Sequence, residues 1–216
     1  MTGYPLNATA AQLHFPTDAR TSVPSAIAPE DAARAGVYAL LGALLRGVPN
    51  AALLEQVRAL PAAEGRGEFA LAWEGVRLAA QQFRLGEVDD EYHQLFIGLG
   101  RGELVPYGSW YMTGFLMERP LAVLRDDLQK FGYTRSLTTH EPEDHVAALC
   151  EVMLMLIEEN AAIEKQRNFF MQHIDSWFEQ FFTDMSVAKN AVFYRAVARF
   201  GAAFMGIEKR YLQAEV

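Results

Sequence analysis

From Pro29 onward, apolar residues recur at three- and four-residue intervals along almost the whole chain, the period of helices that bury one face. The segment PEDAARAGVYALLGALLRG opens with proline and two acids, as helices do, and carries Val37, Leu40, Leu41, Leu44 and Leu45 on one side. A short helix is expected after Asn50, with Leu53, Leu54 and Val57 inward. Phe69, Trp73, Val76, Ala80 and Phe83 mark the next, with Gly86 as its stop, and another runs from about Val88 through Tyr92, Leu95 and Phe96.

The period then breaks. GLGRGELVPYGS, residues 98–109, has the glycine and proline content of a loop, and Ser109 is placed to cap the next helix. In WYMTGFLMERPLAVLRDDLQKFG, Pro120 divides two pieces, and Leu121, Leu124, Leu128 and Phe131 form the stripe of the second before Gly132 ends it. Residues 132–141 read as a hinge-like connector. A helix opening at Pro142 carries Val146, Leu149, Cys150, Met153, Leu156 and Ile157. RNFFMQHIDSWFEQFF reads as one helix with Phe170, Ile174, Trp177 and Phe181, and NAVFYRAVARFGAAFM as the last, with Phe193, Val197, Phe200 and Phe204. No stretch shows strand alternation, so the expectation is an all-α protein: one helical domain over residues 28–216, of about nine or ten helices in two halves, preceded by a flexible arm over residues 1–27.

Composition narrows the classes. At 216 residues the chain is long enough for a substantial core. A net charge of -8 speaks against a general nucleic-acid binder, which needs a basic face, and suits cationic partners or simple solubility. One cysteine, Cys150, leaves neither a disulfide framework nor a thiolate cluster, and it reads as a small apolar core residue. The N-terminal stretch lacks a basic start followed by an apolar block, and no apolar run reaches the length of a membrane span, so the expected place is the cytoplasm without membrane insertion.

The densest chemistry is TTHEPEDHVAAL, residues 138–149, which sets two histidines and three carboxylates into six positions. A zinc hydrolase would need two histidines four apart on one helical face. His140 and His145 are five apart, a rotation that leaves them roughly 140° apart around a helix. The plain alternative is a helix start with Pro142 first, Glu143 and Asp144 in the opening turn and Glu141 or Thr139 as cap. Elsewhere the glycines of residues 98–108 run G-x-G-x-G with no strand before them, unlike a dinucleotide fingerprint, and no phosphate-binding loop of the Walker type occurs. No serine lies in a nucleophile elbow, and His173 within FFMQHIDSWF reads as a hydrogen-bonded packing residue, so no catalytic residue, cofactor or metal site is assigned.

The succession YHQLFIG, PYGSWY, LAVLRDDLQKFGY, EPEDHVAALCEVMLML, FFMQHIDSWFEQFF and FYRAVARFGAAFM resembles the TorD/DmsD family of redox-enzyme maturation chaperones, to which NarJ-type chaperones are related. The similarity covers about residues 29–212. Its most specific element is the E-P-x-D-H signature, met by Glu141, Pro142, Asp144 and His145. Where the family often has Glu in P-x-E-S-x-Y, this chain has Gly108, while Pro106, Ser109 and Tyr111 keep their places. The resemblance implies a non-enzymatic, all-helical cytoplasmic chaperone for the twin-arginine leader, or an equivalent N-terminal segment, of a molybdenum-dependent oxidoreductase. It would hold the apo catalytic subunit until its cofactor is inserted, with the cofactor-insertion machinery as a further implied partner, and exist as a monomer or a domain-swapped homodimer. A leader offers two guanidinium groups and an apolar run. Its expected receptor is therefore Asp144 first, with Glu141, Glu143, Pro142 and His145 beside it, and Tyr107, Trp110, Tyr111 and Trp73 as apolar walls. The alternatives are a guanine-nucleotide-binding switch, as proposed for the family, and a metal-dependent hydrolase.

Overall fold

The structure, a computed structural model, describes residues 27–98, 100–135 and 141–214, together with the backbone of residues 13–14. Among these, ten α-helices carry the fold: α1 Pro29–Arg46, α2 Ala51–Arg58, α3 Glu68–Gln82, α4 Leu85–Tyr92, α5 Gly108–Thr113, α6 Arg119–Lys130, α7 Val146–Glu158, α8 Ile163–His173, α9 Phe178–Val187 and α10 Phe193–Ala214. The expectation of an all-α protein holds. The remaining regular pairing is a two-residue antiparallel ladder, Leu13–His14 against Thr134–Arg135, which no sequence period announces because two residues are too few to show one. No described helix is long and apolar enough to cross a membrane.

The chain forms two compact units. The first comprises residues 1–42 and 107–174, the second residues 43–106 and 175–216. The expected connector, 132–141, falls inside the first unit, and residues 136–140 lie outside the described residues.

In the first unit α7 is apolar almost all round, and Val146, Ala147, Ala148, Leu149, Cys150, Val152, Met153, Met155, Leu156 and Ile157 are all buried. A helix buried on all but the side of Glu151, Leu154 and Glu158 is the core of its unit. Onto the same core come Val37, Tyr38, Leu40 and Leu41 of α1, the Leu121, Leu124, Leu128 stripe of α6, and Phe169 and Phe170 of α8. His173, at the end of α8, is buried, with Nε2 2.9 Å from Asp127 Oδ2 and its ring 5.0 Å from that of Phe169, the hydrogen-bonded packing role expected of it.

The second unit is built on α10, which packs against α3 and α9. Phe193, Val197, Phe200 and Phe204 are buried along it, and Gly201 lets the Phe182 ring of α9 approach so closely that a Cβ would lie 2.3 Å from it. The buried Glu91 of α4 accepts hydrogen bonds from the N–H groups of Val192 (2.8 Å), Phe193 (2.9 Å) and Tyr194 (2.7 Å). One carboxylate thus serves the amides that a helix start leaves without internal partners.

Three boundaries differ from expectation. Gly86 does not end α3, which stops at Gln82 with Phe83 extended, because α4 begins at Leu85 with Glu87 accepting from the Arg84 N–H and so takes Gly86 into its own first turn. The stretch 167–182 is two helices, α8 and α9, parted at Ile174–Trp177. Ile174, Trp177, Phe178, Phe181 and Phe182 are all buried, at the spacing one continuous helical face would also bury, so the period gives no sign of the break. The helix expected from Pro142 opens at Val146 instead, and His145 is its cap.

Candidate functional site

The E-P-E-D-H stretch is a turn in the first unit, and its side chains do different things. His145 is 3% exposed, and its Nδ1 accepts a hydrogen bond from the Ala147 N–H at 3.2 Å, capping α7. Pro142 contributes its carbonyl to the His145 N–H at 3.2 Å and so closes the turn before the helix. Neither Glu143 nor Asp144 complements the start of α7, whose first turn carries no acid.

Asp144 reaches across 35 residues of sequence to α5. Its Oδ2 accepts from the Ser109 N–H at 2.7 Å, its carbonyl accepts from the Gly108 N–H at 2.9 Å, and Tyr107 and His145 form an antiparallel bridge. At 3% exposure this carboxylate is an interior cap of α5. Its Oδ1 is buried with no hydrogen-bond partner among the described residues. Ser109, expected to cap the helix with its own hydroxyl, sits inside α5 and is fully buried. The cap comes from Asp144 because residue 107, Tyr107, occupies the capping position and has no acceptor suited to it.

Ser109 in turn fixes the segment after α5. Its Oγ accepts from the Met117 N–H at 3.2 Å, and its carbonyl accepts from Thr113 Oγ1 at 2.7 Å. Between them the chain turns at Gly114 (φ +82°) and again at Met117 (φ +61°), a left-handed conformation a methionine adopts only under constraint. The result is an apolar projection in which Met112 and Leu116 are exposed, Phe115 is 69% exposed and Met117 is 74% exposed. Helical periodicity gives no sign of these residues, because they do not share in it. The signal the chain does carry is a run of three apolar side chains, Phe115–Met117, between a glycine and a proline, where an interior would have no use for them.

The remaining carboxylates face outward to different degrees. Glu141, with 44% of its side chain exposed, accepts from the Tyr107 hydroxyl at 3.1 Å and lies 3.9 Å from His145 Nδ1. The Tyr107 ring meets the His145 ring edge-on at 5.0 Å. Glu143 is 11% exposed and receives Arg125 of α6, whose Nε and Nη2 both lie 2.9 Å from Oε2. Trp110 and Tyr111 are half-buried on α5. The first unit therefore gathers Tyr107, Trp110, Tyr111, Glu141, Pro142, Glu143, Asp144 and His145. Trp73 belongs to the second unit, where Nε1 donates to the Pro61 carbonyl at 2.8 Å and the ring lies 5.7 Å from Phe200. His140 and Thr139 lie outside the described residues.

Comparison with known proteins agrees with this architecture. Residues 62–183 match the family model described as nitrate reductase delta subunit. The chain is 31% identical to the chaperone protein TorD of Actinobacillus succinogenes over 112 residues, 52% of this chain and 58% of that protein. It is 29% identical to TorD of Vibrio cholerae over 147 residues, 63% and 67% of the two chains. The probable Tat proofreading chaperone DmsD of Haemophilus influenzae is 28% identical over 113 residues, 51% and 55%. The match thus spans 58% of the length of the Actinobacillus succinogenes TorD and 60% of that of the TorD of Actinobacillus pleuropneumoniae, to which the chain is 26% identical. The fold is also that of a redox enzyme maturation protein from Archaeoglobus fulgidus, with a TM-score of 0.56 at 18% identity over 80% of this chain and 93% of that one. By family model, relatives and fold together, the chain belongs to the TorD/DmsD family of redox-enzyme maturation chaperones, whose family model is named for the nitrate reductase delta subunit.

Proposed function

We propose that this protein is a cytoplasmic chaperone that binds the twin-arginine leader, or an equivalent N-terminal segment, of a molybdenum-dependent oxidoreductase and holds the apo-enzyme until its cofactor is inserted. The observation that carries the reading is the pairing, in one unit, of an exposed carboxylate at Glu141 with an exposed apolar segment at Met112–Met117. The two are tied to one framework through Tyr107, Ser109 and Asp144. A leader has the complementary order, guanidinium groups and then an apolar run.

Within this reading the roles divide by exposure. Glu141 receives a leader guanidinium, since it is the carboxylate of the turn most open to solvent. Asp144, the first choice from sequence, holds α5 and the apolar segment in place from inside. Met112, Phe115, Leu116 and Met117, with Trp110 and Tyr111 behind them, take the apolar run; methionine's unbranched, polarisable side chain adapts to varied partners. Charge supplies the smaller share: an exposed pair contributes about 0 to 1 kcal/mol, against about 8 kcal/mol for micromolar binding. Each apolar side chain fully buried contributes roughly 1.5 to 3 kcal/mol before ordering costs.

Calorimetry with a synthetic leader, its Lys-Lys form and a form with the apolar run replaced by serine tests the proposal. Binding should weaken modestly in the second and vanish in the third, and Phe115→Ser should weaken the parent leader without changing the melting temperature. Equal affinity for all three peptides would overturn it.

A further inference from the structure

In the second unit, α3, α9 and α10 leave a groove of about 640 Å³ between them. Small, half-buried side chains line it: Ala72 and Gly75 of α3, Ser186 of α9 and Ala196 of α10. Three exposed residues complete the lining, Glu68 and Leu71 of α3 and Arg199 of α10. We infer that this groove is a face on which two copies of the chain meet about a two-fold axis, α3 against α3, each copy setting its Leu71 into the recess at the other's Gly75. The inference is independent of the leader-binding reading, and the dimer it describes exchanges no element between chains.

Three observations select a second copy as the occupant. Leu71 and Gly75 stand one turn apart on the same face of α3. They are a projection and a recess, since Leu71 is 68% exposed whereas a Cβ built on Gly75 meets nothing within 4 Å. A two-fold axis passing between them lays each over its counterpart, because a symmetric interface brings residue i to j and j to i. Second, Gly75 lies in the middle of the 15-residue α3, where glycine is a poor helix former and nothing in its own chain among the described residues fills the space above it. The close approach of another backbone accounts for a glycine there. Third, Glu68 and Arg199 are opposite in charge, and neither has an ion pair among the described residues. A partner of uniform charge would set one of the two against its own sign. A second copy brings Arg199 to Glu68 and Glu68 to Arg199.

Sedimentation velocity of the full chain over a concentration series at low salt tests the inference. The parent should pass from monomer to dimer up to about millimolar concentration and return promptly to monomer on dilution. Gly75→Leu fills the recess and should weaken the dimer at least about tenfold while leaving the melting temperature equal or higher, because its side chain enters open space and leucine is the better helix former. Glu68→Arg and Arg199→Glu should each weaken the dimer about five- to tenfold, and the double exchange should return to within about threefold of the parent, a recovery that only a reciprocal contact gives. A chain that stays monomeric throughout the series overturns the inference and leaves the groove to another protein. A dimer indifferent to Gly75→Leu, or one that persists on dilution as exchanged elements do, overturns it as well. So does a double exchange that binds no better than the single variants. Thermal melts of each variant keep loss of fold apart from loss of association.

Discussion

Replacing Asp144 by asparagine separates a docking carboxylate from an interior cap. The carboxylate is 3% exposed and its Oδ2 takes the Ser109 N–H at 2.7 Å. In Asp144→Asn the amide oxygen can keep that bond, but it falls from the range of about 1.5 to 3 kcal/mol for a charged acceptor toward about 1 kcal/mol for a neutral one. The new NH2 then takes the place of Oδ1, where no partner is found among the described residues. A buried amide donor without an acceptor costs about 1 to 3 kcal/mol more, offset in part because a neutral amide is cheaper to bury than an unpaired carboxylate oxygen. The expected loss is therefore about 1 to 3 kcal/mol of unfolding free energy, read from the urea midpoint with an unchanged slope. Leader affinity should change by less than threefold under conditions where the variant is folded. Glu141→Gln should behave in the opposite sense. With 44% of its side chain exposed, it should leave stability within about 0.5 kcal/mol and weaken the Arg-Arg leader by up to roughly fivefold, the screened value of a surface pair. If Asp144→Asn instead keeps the parent's stability and loses tenfold or more in affinity while Glu141→Gln binds normally, the assignment is reversed and the buried carboxylate is the arginine dock.

The packing sets three further outcomes. Glu91→Ala should cost about 3 kcal/mol or more in urea denaturation, because the amides of Val192, Phe193 and Tyr194 at the start of α10 lose a common acceptor; Glu91→Gln should cost less. Gly201→Ala should destabilise by about 1 to 3 kcal/mol, since its Cβ meets the buried Phe182 ring at 2.3 Å, and Phe182→Leu should relieve part of the loss. Burial pushes the His173 imidazole below its ordinary value, outweighing the opposite pull of Asp127. Below about pH 6.5 the unfolded chain therefore binds the proton first, so the contribution of His173 is complete above that pH and declines as pH falls toward its lowered value. Urea midpoints at pH 7.5 and 5.5 should show this decline shrinking in His173→Asn, a comparison that cancels the opposite contribution of the exposed His93, raised by the Asp89 carbonyl.

What the sequence determined was whatever depends on neighbours along the chain. The recurrence of Leu121, Leu124 and Leu128, or of Phe193, Val197, Phe200 and Phe204, specifies a helix and its inward face, since a helical turn places residues three and four apart together. The all-α class, the apolar fate of Cys150 and the packing role of His173 are legible for that reason, and the succession of segments from YHQLFIG to FYRAVARFGAAFM, with E-P-x-D-H its most specific element, points to the family. Tertiary structure decided which of three neighbouring carboxylates stays wet. Glu141, Glu143 and Asp144 have the same chemistry and nearly the same position, yet one is open, one is paired with Arg125 and one is buried under α5. That division is set by contacts with residues 18 to 35 positions away, which no local period encodes. The same holds for Ser109, which reads locally as a helix cap and is instead the joint between Asp144 and Met117, and for Met112–Met117, whose exposure depends on that joint. Local rules fix how a segment folds because its own backbone sets the energy, whereas exposure is fixed by what the rest of the unit has already covered.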